Sequence, residues 1–229
     1  MDLSNLSGVF SNPQALLHDI QWADFNHALG SAQDVPEFLI QLLAKDPVEV
    51  ARALRHLEQT VHHQNTIYSA TGPVALYVAA ILSDARVGTI GVYRPNDVAR
   101  PLRAVLLDWL AEMADDASDS AAEAMRRHGF APLEDRPEVL KFRAFRPAIC
   151  EAIVPFLDDP DPLVRCAAVI AMTYLLDSNE VIHSLGLLPR IQEVIQISSN
   201  QHYLIRAAEL ISDDIYDRPN PPSDGEVPF

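Results

Sequence analysis

The strongest constraint on this chain is a unit that recurs along it: an apolar first helix, a tight turn, then a second helix that opens on a β-branched residue. The stretches LLAKDPVEV, FLDDPDPLVR and QISSNQHYLIR lie over one another, and the first two carry acid and proline in the turn. Val164 and Ile205 are 41 residues apart, and Leu43 and Leu82 are 39 apart. Both spacings are near the roughly 40 to 47 residues of a helical-repeat unit. A helix pair alone leaves one apolar face uncovered, so a chain of such pairs gains a core by stacking each pair on the next. Small residues such as Ala167, Ala168, Ala207 and Ala208 permit close approach between helices.

Helical periodicity runs through almost the whole sequence, and no convincing strand alternation interrupts it. Val35, Phe38, Leu39, Leu42 and Leu43 form one stripe, with Asp34 placed to cap the helix start. Val50, Leu54, Leu57 and Val61 form the next, after Asp46 and Pro47. A third helix begins at Ser69 or Thr71 and is buried through Val74, Tyr77, Val78, Ile81 and Leu82. The segment VGTIGVYRPND connects it to a helix whose true start lies close to Pro101, since proline further inside would cost about 3 kcal/mol. Residues 118 to 128 form a short helix closed by Gly129, a left-handed stop. Helices over 144–157, through DDPDPLVRCAAVIAM with Val164, Ala167, Ala168, Ala171, Tyr174 and Leu175 on one face, and over 188–197 and 203–216 complete the set. Pro155 loosens the first of these, and the last is buried through Leu204, Ala208, Ile211 and Ile215. The expected organisation is a capping segment over 1–33, a repeat domain over 34–217 and a flexible tail over 218–229.

Charge ranks the partners. With 17 Lys and Arg against 32 Asp and Glu, the chain carries a formal charge of −15 at pH 7, which opposes nucleic acid. From Asp108 to Glu123 there are six acids and no Lys or Arg, a stretch that repels phosphate and suits a basic protein surface, although a solvated helix face explains it as well. Two cysteines, Cys150 and Cys166, lack zinc-like spacing and read as buried thiols of a reducing compartment. Apolar runs stop short of a membrane span and the start MDLSNLSGVF lacks a basic region, so the expected location is the cytoplasm.

The segment Asp159-Pro160-Asp161-Pro162-Leu163-Val164-Arg165-Cys166-Ala167-Ala168 resembles the inter-helix turn and second-helix start of the HEAT-repeat family, and Asp46-Pro47-Val48-Glu49-Val50-Ala51 resembles it more loosely. The likeness covers roughly residues 34 to 216. HHQNTIYSATGPVALYVAAIL also resembles a stretch of HEAT-like bacterial proteins. The resemblance implies an all-α fold, a right-handed α-solenoid of stacked hairpins related to armadillo repeats. It also implies that an acidic turn residue caps each second helix, and that Arg165 and Arg206 form a ladder between repeats, broken at Ala51. Proteins of this class mostly bind other proteins along a concave surface lined by second helices, while a few related solenoids remove DNA bases or handle bilins; these are fold-level analogies.

Two functional readings follow. In the first, the chain is a non-catalytic interaction module, an immunity or adaptor protein among the options, whose ridge of Arg52, Arg55, His56, Gln59, His62, Arg100, Arg103, Arg165 and Arg206 holds a protein partner, with a basic one favoured by charge. Arg165 and Arg206 serve equally well as the ladder. In the second, Trp22, Asp24, His62, His63, Trp109 and Asp108 surround the cleft of an enzyme or small-molecule binder, which requires convergent polar groups and a perturbed titration. Trp109 fits a core position better, and Trp22 with Phe25 fits an end seal. No metal or cofactor is expected. His56 and His63 are too far apart on a helix for one ion, and His62 with Glu58 at i and i+4 supplies two ligands, so a third would have to come from another element. No nucleophile elbow, dinucleotide fingerprint or phosphate loop is present.

Overall fold

A computed structural model describes residues 12–93 and 98–217. Among these there are eleven α-helices: α1 (Pro13–Asp19), α2 (Val35–Gln41), α3 (Pro47–His56), α4 (Thr71–Ile81), α5 (Leu102–Asp116), α6 (Asp119–Arg127), α7 (Pro137–Ile153), α8 (Pro162–Leu176), α9 (Asn179–Ser184), α10 (Leu188–Ile197) and α11 (Gln201–Asp217). Three antiparallel ladders of two residues a strand also occur: β1 (Asn26–His27) with β2 (Gly30–Ser31), β3 (His62–His63) with β4 (Thr66–Ile67), and β5 (Ile90–Gly91) with β6 (Arg100–Pro101). Pairs this short leave no alternation to read, so periodicity alone misses them. No described helix is long and apolar enough to cross a membrane.

The helix starts follow local chemistry. Asp46 and Asp161 each precede proline and accept a backbone N–H two residues on, from Val48 at 2.9 Å and Leu163 at 2.8 Å. Proline fits the first turn because its missing N–H would be unpaired there. Ser118 caps α6 through Ala121, and Gly129 ends it at φ +74°. Pro101 stands at the start of α5, and the chain tightens to a single 3-10 turn over Val154–Phe156 around Pro155. Asp34 does not cap α2, because its carboxylate turns elsewhere.

Successive pairs α4/α5 and α7/α8 pack in register, α4 on α7 and α5 most extensively on α8; α10 and α11 pack on each other and both contact α8. Every residue of α4 is buried, rather than one stripe, because α1, α5 and α7 all lie against it. Gly72 marks its closest approach to α7, where a Cβ would come within 2.9 Å of the Phe145 ring. α7 begins at Pro137, earlier than the periodicity indicates, and carries Pro147 inside. In α11 the buried side chains are Tyr203, Ala207 and Leu210, with Ala208 exposed. The helix is thus turned by about one residue from the stripe expected on Leu204 and Ala208, since Tyr203 finds polar partners beneath it. Ile215 and the tail over 218–229 lie outside the described side chains.

Burying apolar helices leaves their last carbonyls without partners. Arginines from neighbouring helices supply them. Arg103 donates to Leu82 O (2.7 Å) at the end of α4, Arg143 to Ala117 O (2.7 Å) at the end of α5, and Arg206 to Thr173 O (3.2 Å) in the last turn of α8. Arg146 donates to both Ala114 O and Ala117 O and also holds Asp177 at 3.0 Å. Arg146→Ala should therefore lower unfolding stability by about 2 kcal/mol, read as a shifted urea midpoint, because it strands the Ala114 carbonyl and takes the cation from the largely buried Asp177 carboxylate, while Ala117 O keeps Arg143 and Asp177 keeps the Asp119 N–H. Arg146→Lys should recover less than half, since an ammonium cannot span the same acceptors.

Candidate functional site

Between α5, α8 and α11 lies a cavity of about 490 Å³. Its walls come from Asp108, Ala111, Glu112 and Asp115 of α5, Ile170 and Tyr174 of α8, and His202 and Tyr203 of α11, closed by Arg100 and Asn200. On the floor, Arg100 holds Asp108 at 2.7 Å, and the Tyr203 hydroxyl donates to Asp108 and accepts from Arg100. Burial, then the Asp108 carboxylate, raises the Tyr203 hydroxyl well above its usual range, so it stays protonated. The lining thus holds three carboxylates, of Asp108, Glu112 and Asp115, and one guanidinium, of Arg100. Asp115 keeps much of its surface open, yet desolvation at the cavity wall pushes its carboxyl upward, followed by the like charges of Asp116, Glu209 and Asp177; Arg206 acts the other way. A second, shallower hollow continues alongside α11 and adds Asp119, Asp177 and Glu209.

The acid run from Asp108 to Glu123 is thus not simply a solvated face. Asp108 pairs with Arg100, Asp116 with His62 at 2.6 Å and Asp119 with Arg143 at 2.9 Å.

A second cluster forms where the β1–β2 turn meets α2 and α3. Buried His27 and His56 face the half-exposed carboxylate of Asp34: His27 Nε2 is 2.9 Å from Oδ1 and His56 Nε2 is 3.9 Å from Oδ2. The Leu29 N–H donates to His27 Nδ1 at 3.1 Å, so the ring proton sits on Nε2 and is donated to Asp34. His56 stacks on Phe38 with ring centroids 3.8 Å apart, and its Nε2 has no hydrogen-bond partner.

The expected ridge divides. Arg52, Arg55 and Gln59 are exposed on or beside α3, with Arg52 over the Phe38 ring, whereas His56 and His62 are buried. Arg100 and Arg206 border the acidic hollows. Arg103 is held at the end of α4 and over Phe156, and Arg165 bridges Glu193 and Asp159 O. His62 does not share a helical face with Glu58, because the helix closes with a π-turn over Leu57–Val61 and His62 is extended in β3. The expected cleft does not assemble around the cavity: of its residues only Asp108 lines it. Trp109 is core, and Trp22 is buried with its indole N–H on Leu17 O. Cys150 and Cys166 are free thiols, and burial pushes Cys150 up to about 11.

Sequence reasoning did not bring together His27, Asp34 and His56, nor the group of Glu112, Asp115, Tyr174 and Tyr203; the one available signal was the unbroken acid run opposite a tyrosine-bearing helix. In comparisons with known proteins, no family model, curated protein or solved structure matches the chain.

Burial pushes His56 down to about 4 from its ordinary 6.5, with Asp34 opposing in part. The unfolded chain takes up a proton at this ring that the folded chain refuses, so the contribution is fully retained above pH 6.5 and lost as pH falls toward 4. In chelator-treated protein this should remove ~3 kcal/mol across that window. Urea unfolding of the wild type and His56→Phe at a series of pH values should show the variant with the flatter profile.

Proposed function

We propose that this chain is a helical-repeat module of the HEAT or armadillo kind, which holds a basic segment of a protein partner in the groove formed by its second helices and performs no chemistry of its own. The in-register packing of α4/α5 on α7/α8, and of α10/α11 on α8, supports the stacked arrangement. One observation carries the binding reading: α5, α8 and α11 converge on a cavity whose carboxylates exceed its cations. An inserted lysine or arginine side chain would lie near the carboxylates of Glu112 and Asp115, beside Tyr203 and beside Tyr174, whose ring already carries the Arg206 guanidinium 4.5 Å from its centroid. An adaptor or an immunity protein that neutralises a basic toxin would use such a groove.

The expected anchors therefore change in kind. Arginines were the anticipated contacts; in this reading Glu112 and Asp115 bind, while Arg103, Arg165 and Arg206 spend their donors inside the chain. A rival reading has one supporting observation: 490 Å³ also suits a small organic cation.

Pull-down from native lysate should distinguish the two. We expect a stoichiometric protein partner retained by the wild type at moderate salt, released at high salt, and held at least about tenfold more weakly by Glu112→Gln/Asp115→Asn, whose circular dichroism should remain that of the wild type. Equal retention by the double variant would defeat the groove assignment. A co-purifying small amine with no protein would favour the rival.

A further inference from the structure

We propose that His27, Asp34 and His56 form a binding site for a divalent transition-metal ion of the zinc class, separate from the acidic groove.

Three observations carry this. One ligand atom from each of the three side chains lies within 4.8 Å of the other two, with approaches of 2.9 and 3.9 Å to the two oxygens of the shared carboxylate. A tetrahedral ion about 2.1 Å from nitrogen and oxygen ligands holds them about 3.4 Å apart. Closing around the ion asks that His27 draw back and His56 come forward by roughly half an ångström from the carboxylate, and that ligand atoms as much as 4.8 Å apart draw together by up to about 1.4 Å.

The second observation is the polar atom left over. His56 is 9% exposed, and its Nε2, aimed toward Asp34, has no hydrogen-bond partner. A buried unpaired nitrogen is costly in a folded chain, and a bound cation would satisfy it. The ring cannot easily turn away, because it stacks on Phe38 and meets His27 edge-on at 5.7 Å.

The third is Asp34. It occupies the cap position of α2 but its side chain makes no bond to the helix amides, and its carboxylate faces the two imidazoles instead. Its side chain is 46% exposed, so the cluster opens to solvent on that side and water can complete the coordination. Two imidazoles and one carboxylate are the donor set that zinc and related ions accept, whereas magnesium and calcium prefer oxygen throughout.

Metal binding has a proton consequence at the β1–β2 turn. His27 must offer its Nε2 lone pair, so the ring proton moves from Nε2 to Nδ1, with none gained or lost overall. The Leu29 N–H, which donates to Nδ1 in the metal-free chain, must then swing away. Leu29 sits at the exposed tip of that turn, 80% accessible, where such a movement meets little resistance.

The test uses the full chain, stripped with chelator and titrated with zinc alone in competition with a chromophoric chelator, and with cobalt(II) as a spectroscopic probe. Expected are one ion per chain, a cobalt spectrum of nitrogen and oxygen ligation without thiolate charge transfer, and displacement of the Leu29 amide resonance on zinc addition. Asp34→Asn and His56→Gln should each weaken zinc by at least about tenfold, while His128→Ala, distant and exposed, should not. The proposal is overturned if zinc binds no tighter than millimolar, if the cobalt spectrum carries thiolate bands, or if both site variants bind as the wild type does. Should the variants misfold, the wild-type stoichiometry, cobalt spectrum and Leu29 shift still decide it.

Discussion

The fold depends on burying apolar helices end to end. α4 has no exposed residue, and α5 and α8 are buried over most of their length, so the carbonyls at their ends that face the core need partners from the protein. Arg103, Arg143, Arg146 and Arg206 reach those carbonyls from adjacent elements. A guanidinium suits the task because its planar fork meets several acceptors at once and its charge complements the negative end of a helix. Each such contact also crosses from one helix to another, so it orients the packing as well as ending the helix.

That use of arginine shapes the surface. A chain with 17 basic residues against 32 acidic ones that commits several arginines internally leaves its grooves to carboxylates. Asp108 pairs with Arg100 and accepts from Tyr203, and Glu112 and Asp115 line the same cavity one and two helical turns further along the same helix. The carboxylates of the cavity fall where α5, α8 and α11 meet.

Much of the helix inventory was legible because its signals are local. Asp46 and Asp161 ahead of proline, Ser118 and Gly129 around α6, and Pro101 at the head of α5 each act through their own backbone within a few residues. The stripe Val50, Leu54, Leu57 and Val61 is buried as its spacing indicates. Reading stopped where the deciding partner was distant in sequence. His62 was assigned to a helical face with Glu58, but a π-turn and a two-residue ladder take it to Asp116, 54 positions away. Asp34 carries the residue type of a cap, yet the histidine seven residues before it outcompetes the amides. In α11 Tyr203 replaces Leu204 on the buried face because Asp108 and Arg100, about a hundred residues earlier, offer its hydroxyl partners that no pattern within the helix reveals.

By itself the sequence determined that the chain is mostly helical, where most helices begin and end, and that its net charge is strongly negative; capping, proline stereochemistry and 3.6-residue periodicity operate over one or two turns, and composition needs no coordinates. Only the tertiary structure decided which arginines end helices and which carboxylates line a groove, that α4 is enclosed on all sides, and that His27, Asp34 and His56 converge. Those outcomes depend on distances between residues far apart in the chain, and a side chain's role follows from which competing partner packing brings within reach.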